Sequence, residues 1–216
     1  MDTVWVLGGG QFGRHACQQL RQKDAEATII VVDKQASHDL PADVHHVCED
    51  AVTWLTKQFT ADAAVSMVIP ALPLHLAAEW LKKKLSADSR TVQPVTLPDT
   101  LLGQLPNPIR LNPDNAVISH ADFLCPSNCL EPDELCSFTR KKRPQPLFEI
   151  LEEMSYRDFS PVIIRSRQFA PGVGGFLPDD LWTLLQSARS RSDMPLLIGT
   201  ACKCHGAITG ISHEKL

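Results

Sequence analysis

Residues 4–20, VWVLGGGQFGRHACQQL, decide how the rest of the chain is read. An apolar run, Val4 to Leu7, meets a glycine-rich turn, after which Phe12, Ala16 and Leu20 recur at four-residue spacing. That order predicts a strand, a tight turn and a helix whose buried stripe is Phe12, Ala16 and Leu20. Gly8, Gly10 and Gly13 spell GxGxxG around Gln11 and Phe12. The first glycine permits the turn, the second lets backbone N–H groups approach a pyrophosphate, and the third lets the helix pack on the strand. The helix N-terminus then faces the anion.

Outward from this stretch, Thr28 to Val32 reads as a second strand buried on both faces, ended by Asp33, 20 residues past Gly13. A carboxylate there suits the ribose hydroxyls of an adenine dinucleotide and favours NAD over NADP, although Lys34 beside it leaves room for a phosphate. Val44 to Val47 is a weaker strand, Ala51 to Phe59 a helix, and Val65 to Ile69 a fourth strand. A further helix carries the stripe Leu74, Ala77, Ala78, Leu81 and Leu85. Lys82, Lys83 and Lys84 in its last turns read as a solvated face. Alternation of this kind predicts an α/β fold, a doubly wound and mostly parallel sheet.

On these residues the first half resembles the Rossmann dinucleotide-binding superfamily. VWVLGGGQFGRHACQQL is similar to the opening of potassium-transport regulatory domains and saccharopine-dehydrogenase-like proteins, and VSMVIPALPLHLAAEWL (residues 65–81) to the fourth strand and crossover of the latter. GGGQFG also looks like the start of the pre-ATP-grasp domain of purine-biosynthesis carboxylases, but the downstream chain lacks the length of an ATP-grasp catalytic region. The resemblance implies a bound NAD or related adenine nucleotide, held by Gly8, Gly10, Gln11, Phe12, Gly13 and Asp33.

Five prolines between Gln93 and Asp114 mark a joint, so we divide the chain into a nucleotide-binding half, residues 1–97, and a cysteine-containing half, residues 98–216. Strand-like runs resume at Ala116 to Ser119, Val162 to Arg165 and Leu196 to Gly199, with helices near Leu147 to Met154 and Asp179 to Ala188. We expect these strands to continue the first sheet.

Five of the seven cysteines form two tight groups: Cys125, Cys129 and Cys136 in CPSNCLEPDELC, and Cys202 and Cys204 followed by His205. The first group has no apolar period, so burial does not account for its thiols. Cys17 and Cys48 instead lie in apolar segments and read as core residues. Cys125, Cys129, Cys136 and Cys204, with Cys202 or His205 as alternatives to Cys204, make four soft ligands, enough for zinc or an iron–sulfur cluster. The spacings are not the two-residue pattern of zinc ribbons, and free or exchanging thiols remain the third reading.

In an open parallel sheet the functional loops project beyond the carboxyl ends of the strands. GGGQFG, Asp33, the thiol segments and SRQFAPGVGG would therefore meet at one edge. Arg165 and Arg167 beside the glycines of the last segment suit an anion. His120 could be a ligand or a proton donor. Arg140 to Arg143 reads as a solvated turn, and with a net charge of −4 spread evenly along the chain, nucleic acid is not an expected partner. No serine–histidine–carboxylate set, metalloprotease motif or phosphate-loop lysine is present. The apolar runs are broken by prolines, so no membrane span is expected, and the cysteine usage suits a reducing cytoplasm. The expected function is redox or redox sensing with NAD(H) beside a cysteine-ligated centre, with a homodimer as a candidate assembly; the alternative is a regulatory nucleotide-binding module with structural zinc.

Overall fold

The computed structural model describes residues 2–35, 40–131, 133–191 and 193–215. The chain begins as its first residues dictate, with strand β1 (Thr3–Leu7), helix α1 (Gln11–Lys23), β2 (Thr28–Asp33), β3 (His45–Cys48), α2 (Ala51–Gln58), β4 (Met67–Pro70) and α3 (Leu76–Ala87). All four strands are parallel, in the order β3–β2–β1–β4. Period-two alternation along β1 sends Val4 and Val6 towards α1, Cys17 among their neighbours, and Trp5 and Leu7 towards α2 and α3. Cys48, by contrast, is exposed on the edge strand rather than in the core.

The second half builds its own sheet, contrary to the expected continuation of the first. It comprises β5 (Arg90–Pro94), α4 (Asp99–Leu102), β6 (Ile109–Asn112), β7 (Asn115–Ser119), α5 (Leu147–Glu153), β8 (Ser160–Arg165), a hairpin β9 (Arg167–Ala170) and β10 (Val173–Gly175), α6 (Pro178–Arg189), β11 (Leu196–Ala201) and β12 (His205–Lys215). The sheet runs β6–β7–β12–β11–β8, with β5 also on β12, and only the β8–β11 pair is parallel. The cause is β12. This strand follows β11 through a tight turn, pairs with all of it through Gly206–Ile211, and offers its other edge first to β7 and then to β5. Because β5 already belongs to this sheet, the chain changes sheets before the proline-rich joint.

Helices α2, α3 and α6 fill the space between the sheets, in a core that takes Trp5 and Leu7 from one side and Val162, Ile198 and Ile211 from the other. Leu197 and Ala201 on the opposite face of β11 pack instead with α4 and α5. Among the described residues no helix is long and apolar enough to cross a membrane.

A buried polar cluster lies inside this seam. His75, just ahead of α3, is 4% exposed, and its Nδ1 and Nε2 sit 2.7 Å and 3.1 Å from the hydroxyls of Thr209 and Thr200. Burial, with Lys82 nearby, pushes its pKa from 6.5 down to about 3. On acidification the unfolded chain takes up this proton near pH 6.5, whereas the folded chain resists until about pH 3. Stability is therefore complete above the unfolded pKa and falls as pH drops through that window, by up to about 1.4 kcal/mol per pH unit. Urea melts at pH 7 and pH 5 should show this loss, and His75→Gln should flatten it; an equal pH slope in the variant would remove His75 as the cause.

Candidate functional site

Three loops leave the second sheet at the same end. Arg165 at the end of β8 lies opposite Ala201 of β11, and Ser119 at the end of β7 lies opposite His205 of β12. The segments beginning at His120, Ser166 and Cys202 therefore start side by side. The convergence expected of one parallel sheet is present only for the loops of the second half, where it arises from strand register in a mixed sheet; the glycine turn and Asp33 belong to the first sheet and do not border the same cavity. Cys202 to His205 is the β11–β12 turn, closed by the Cys202 N–H donating to the His205 carbonyl at 2.9 Å, and His120 N–H donates to the Cys204 carbonyl at 2.8 Å.

Between these loops and α1 is a cavity of about 590 Å³. Cys125, Cys129, Cys136, Cys202, Cys204 and His205 all contribute to its walls. Helix α1 closes another side with Phe12 and His15. Phe12 is thus not part of the α1 core stripe: at the first turn of the helix it is 72% exposed and borders the cavity. Two neighbouring cavities, of about 140 and 440 Å³, share walls with this one, and both reach Pro70 at the end of β4.

The sulfur atoms are supplied with donors. Cys129 Sγ accepts from Glu131 N–H at 3.4 Å, Cys136 Sγ from Thr139 N–H at 3.5 Å, and Cys202 Sγ from both Cys204 N–H at 3.4 Å and His205 N–H at 3.3 Å. Arg143 donates from Nη1 to Cys204 Sγ. Cys125 Sγ is 3.4 Å from His205 Nε2. Donors aimed at sulfur favour the thiolate, and at Cys136, which is well exposed to them, the Thr139 side chain and the backbone N–H groups of Thr139 and Phe138 bring the pKa down to about 7. Burial prevails at three others: it raises Cys125 and Cys204, and with Glu131 nearby it drives Cys202 up to about 12. Burial likewise lowers His120 and His205, which favours their neutral, ligand-competent form. Among the described residues no three histidine, cysteine or acidic side chains stand close enough to hold one metal ion between them. The thiols ring the cavity instead of meeting at a point.

The glycine turn has the geometry its spacing implies. Gly8 has a φ of +116°, and a Cβ there would lie 2.4 Å from the Ala71 carbonyl oxygen. At Gly13 a Cβ would lie 1.9 Å from the Gly8 carbonyl oxygen, whereas at Gly10 it would meet nothing within 4 Å. Asp33 ends β2 beside the turn, with Oδ2 accepting from Gly9 N–H at 2.6 Å and Oδ1 from Gln35 N–H at 2.9 Å. Of the candidate nucleotide residues, Phe12 borders the cysteine cavity; Gly8, Gly10, Gln11, Gly13 and Asp33 do not.

Two parts of the site depart from the sequence reading. SRQFAPGVGG is the β9–β10 hairpin, not an open anion loop: Arg167 pairs with Asp180, and the Arg165 guanidinium stacks on Phe148 at 4.5 Å. Its turn docks on the cysteine loop, with Gly172 N–H donating to the Cys129 carbonyl at 3.0 Å. The basic run is not simply solvated, because Lys141, Lys142 and Arg143 border the cavity. The signal for this was the position of the run directly after Cys136, and only the backward fold of that segment gives it meaning.

No solved structure matches the chain. A protein of Archaeoglobus fulgidus described as an uncharacterized protein is 26% identical over an alignment of 226 residues that spans 98% of this chain and 99% of the relative. The family model described as AF_1314_C, uncharacterized protein, C-terminal domain, matches residues 77–214, which run from α3 to the end of β12 and include both cysteine groups. That match covers more than half of the chain, and the protein therefore belongs to the AF_1314_C family.

Proposed function

We propose that the chain holds a cysteine-ligated metal centre in this cavity, beside an NAD(H)-type nucleotide at the glycine turn, and acts in redox chemistry or redox sensing. The observation that carries the reading is that all five grouped cysteines, from segments some 70 residues apart, border one cavity. Cys125, Cys129, Cys136 and Cys204 would be the ligands, with Cys202 and His205 as alternatives. The donor set is soft and suits zinc or iron. A space ringed by thiols fits a polynuclear iron–sulfur centre, in which each thiolate holds its own iron, better than a single ion on which four ligands meet. Such a centre supplies one-electron transfer when bound. The chain's own contribution is to present the thiolates and to tune them through the N–H groups directed at sulfur.

Support for the nucleotide comes from the first sheet, whose parallel β3–β2–β1–β4 order and glycine turn are Rossmann-like. The open space over Gly10 leaves the backbone free to meet a pyrophosphate. Phe12 and Pro70 connect this side of the molecule with the cysteine cavity. A second reading, a regulatory module with structural zinc, is favoured by one distance. Tetrahedral zinc, with sulfur near 2.3 Å and nitrogen near 2.05 Å, sets two such ligands about 3.6 Å apart, close to the 3.4 Å between Cys125 Sγ and His205 Nε2.

Anaerobic purification followed by iron, sulfide and zinc analysis and an absorbance spectrum tests the proposal. The expected result is iron with acid-labile sulfide and visible absorbance, both lost in a Cys129→Ser, Cys204→Ser double variant. Zinc with no visible absorbance would select the second reading, and colourless, metal-free protein with all thiols titratable would end both. NADH should raise the melting temperature, and Gly10→Val should remove that rise without destabilising the free protein.

A further inference from the structure

We propose that Arg143 is the charge partner of the thiolate centre, a positioning residue that holds Cys204 as a ligand and offsets the negative charge of the cysteine shell. This rests on the metal-centre reading above and specifies which cation serves it. The segment after Cys136 doubles back on itself: Leu135 and Lys142 form an antiparallel bridge, Cys136 N–H donates to the Lys141 carbonyl, and Arg143 N–H donates to the Glu134 carbonyl, both at 2.9 Å. Arg140, with a φ of +59°, lies within the reversal. The effect is to carry Arg143 back onto the cavity wall between the two cysteine groups.

There its Nη1 donates to Cys204 Sγ, on a turn 61 residues away in sequence. The partner is a thiol, not the carboxylate that an arginine in a structural ion pair would take. Its charge also reaches Cys125 and Cys136. The Nε atom is buried and has no hydrogen-bond partner among the described residues. An unpaired buried donor on a cation is costly, and an anionic centre of thiolates, with or without inorganic sulfide, supplies the acceptor it lacks. A bound centre with four thiolates carries net negative charge, which a cation fixed beside Cys204 offsets more than the exposed Lys141 and Lys142 do.

The test is metal affinity by chelator competition on the anaerobically purified full chain, with the midpoint potential measured where the centre is redox active. Arg143→Gln should weaken metal retention by about 10- to 100-fold, in line with the loss of other groups that orient metal ligands, and should lower the potential. Arg143→Lys should recover most of the affinity, because the charge is kept. Arg140→Asn removes a charge from the same reversal without touching the cavity and should leave affinity unchanged. Circular dichroism and melting temperature identify any variant that has not folded, in which case Arg143→Lys carries the comparison. Wild-type affinity and potential in Arg143→Gln would overturn the assignment while leaving the metal centre intact. An equal loss in Arg140→Asn would overturn it too, by making the effect one of general charge. Metal-free wild-type protein would sink both the assignment and the centre.

Discussion

Gly172→Ala should separate the cysteine loop from the β9–β10 hairpin and, with the metal centre proposed above, lower metal retention while leaving the two sheets folded. Gly172 has a φ of +69°, and a Cβ there would lie 1.6 Å from the Ser127 carbonyl oxygen and 3.3 Å from His15 Nε2. Three elements meet at this point. His15 of α1 contacts the Pro171 carbonyl oxygen at 3.2 Å, Gly172 N–H holds the Cys129 carbonyl, and the Gln168 side-chain amide donates to the same carbonyl. A side chain at Gly172 opposes this docking twice, through the left-handed backbone, which costs about 1–2 kcal/mol for a non-glycine residue, and through collision with backbone that has no rotamer to yield. A total above about 2 kcal/mol would raise the population of the undocked loop by roughly 30-fold or more. Because the loop carries Cys125, Cys129 and Cys136, the metal content should fall and the alkylation rate of these thiols should rise by a comparable factor. Unchanged metal content and thiol reactivity would show that the hairpin does not secure the loop.

Phe59→Ala should cost about 3–5 kcal/mol of stability, the usual range for a buried aromatic truncated to alanine. Phe59 is 1% exposed and stands at the centre of the aromatic cluster in the middle layer. It stacks on Trp182 with ring centroids 4.8 Å apart and meets Trp5 and Trp80 edge-on at 6.3 Å and 5.7 Å. Trp54 joins through Trp5 at 4.7 Å, so the four tryptophans of the chain report on one cluster. Trp5 comes from the first sheet and Trp182 from α6, which packs on β8 of the second. A cavity at Phe59 therefore weakens the seam between the two halves, not one half alone. The check is chemical denaturation followed by tryptophan fluorescence and by far-ultraviolet circular dichroism. Coincident transitions at lower denaturant are expected, and a loss below about 1 kcal/mol would mean that the core closes over the gap.

The first half was legible in the sequence because its information is local. A strand, a turn that only glycine tolerates and a helix with period-four burial lie within residues 4–20, and the collisions a Cβ would meet at Gly8 and Gly13 are the reason for the spacing. Phe12 departs from the stripe because periodicity ranks apolar residues by spacing alone, whereas this first-turn position borders the cavity that α1 shares with the cysteine loops. β12 went unread because His205 to Lys215 mixes glycine, serine and charge, and its partners on both edges, β11 on one and β7 and β5 on the other, bury it without an apolar pattern of its own.

By itself the sequence determined the parallel first sheet, its glycine turn and the presence of two cysteine groups, since each depends on residues within one or two turns of chain. Only the tertiary structure decided that the two groups share one cavity with α1, and that Arg143 stands between them. Arg143 owes its place to the backward fold of residues 134–143, and α1 joins through His15 at the Pro171 carbonyl, but the side-by-side start of the loops follows from strand register. Arg165 opposite Ala201 and Ser119 opposite His205 are pairings between residues 36 and 86 positions apart, and no local periodicity encodes a register across such distances.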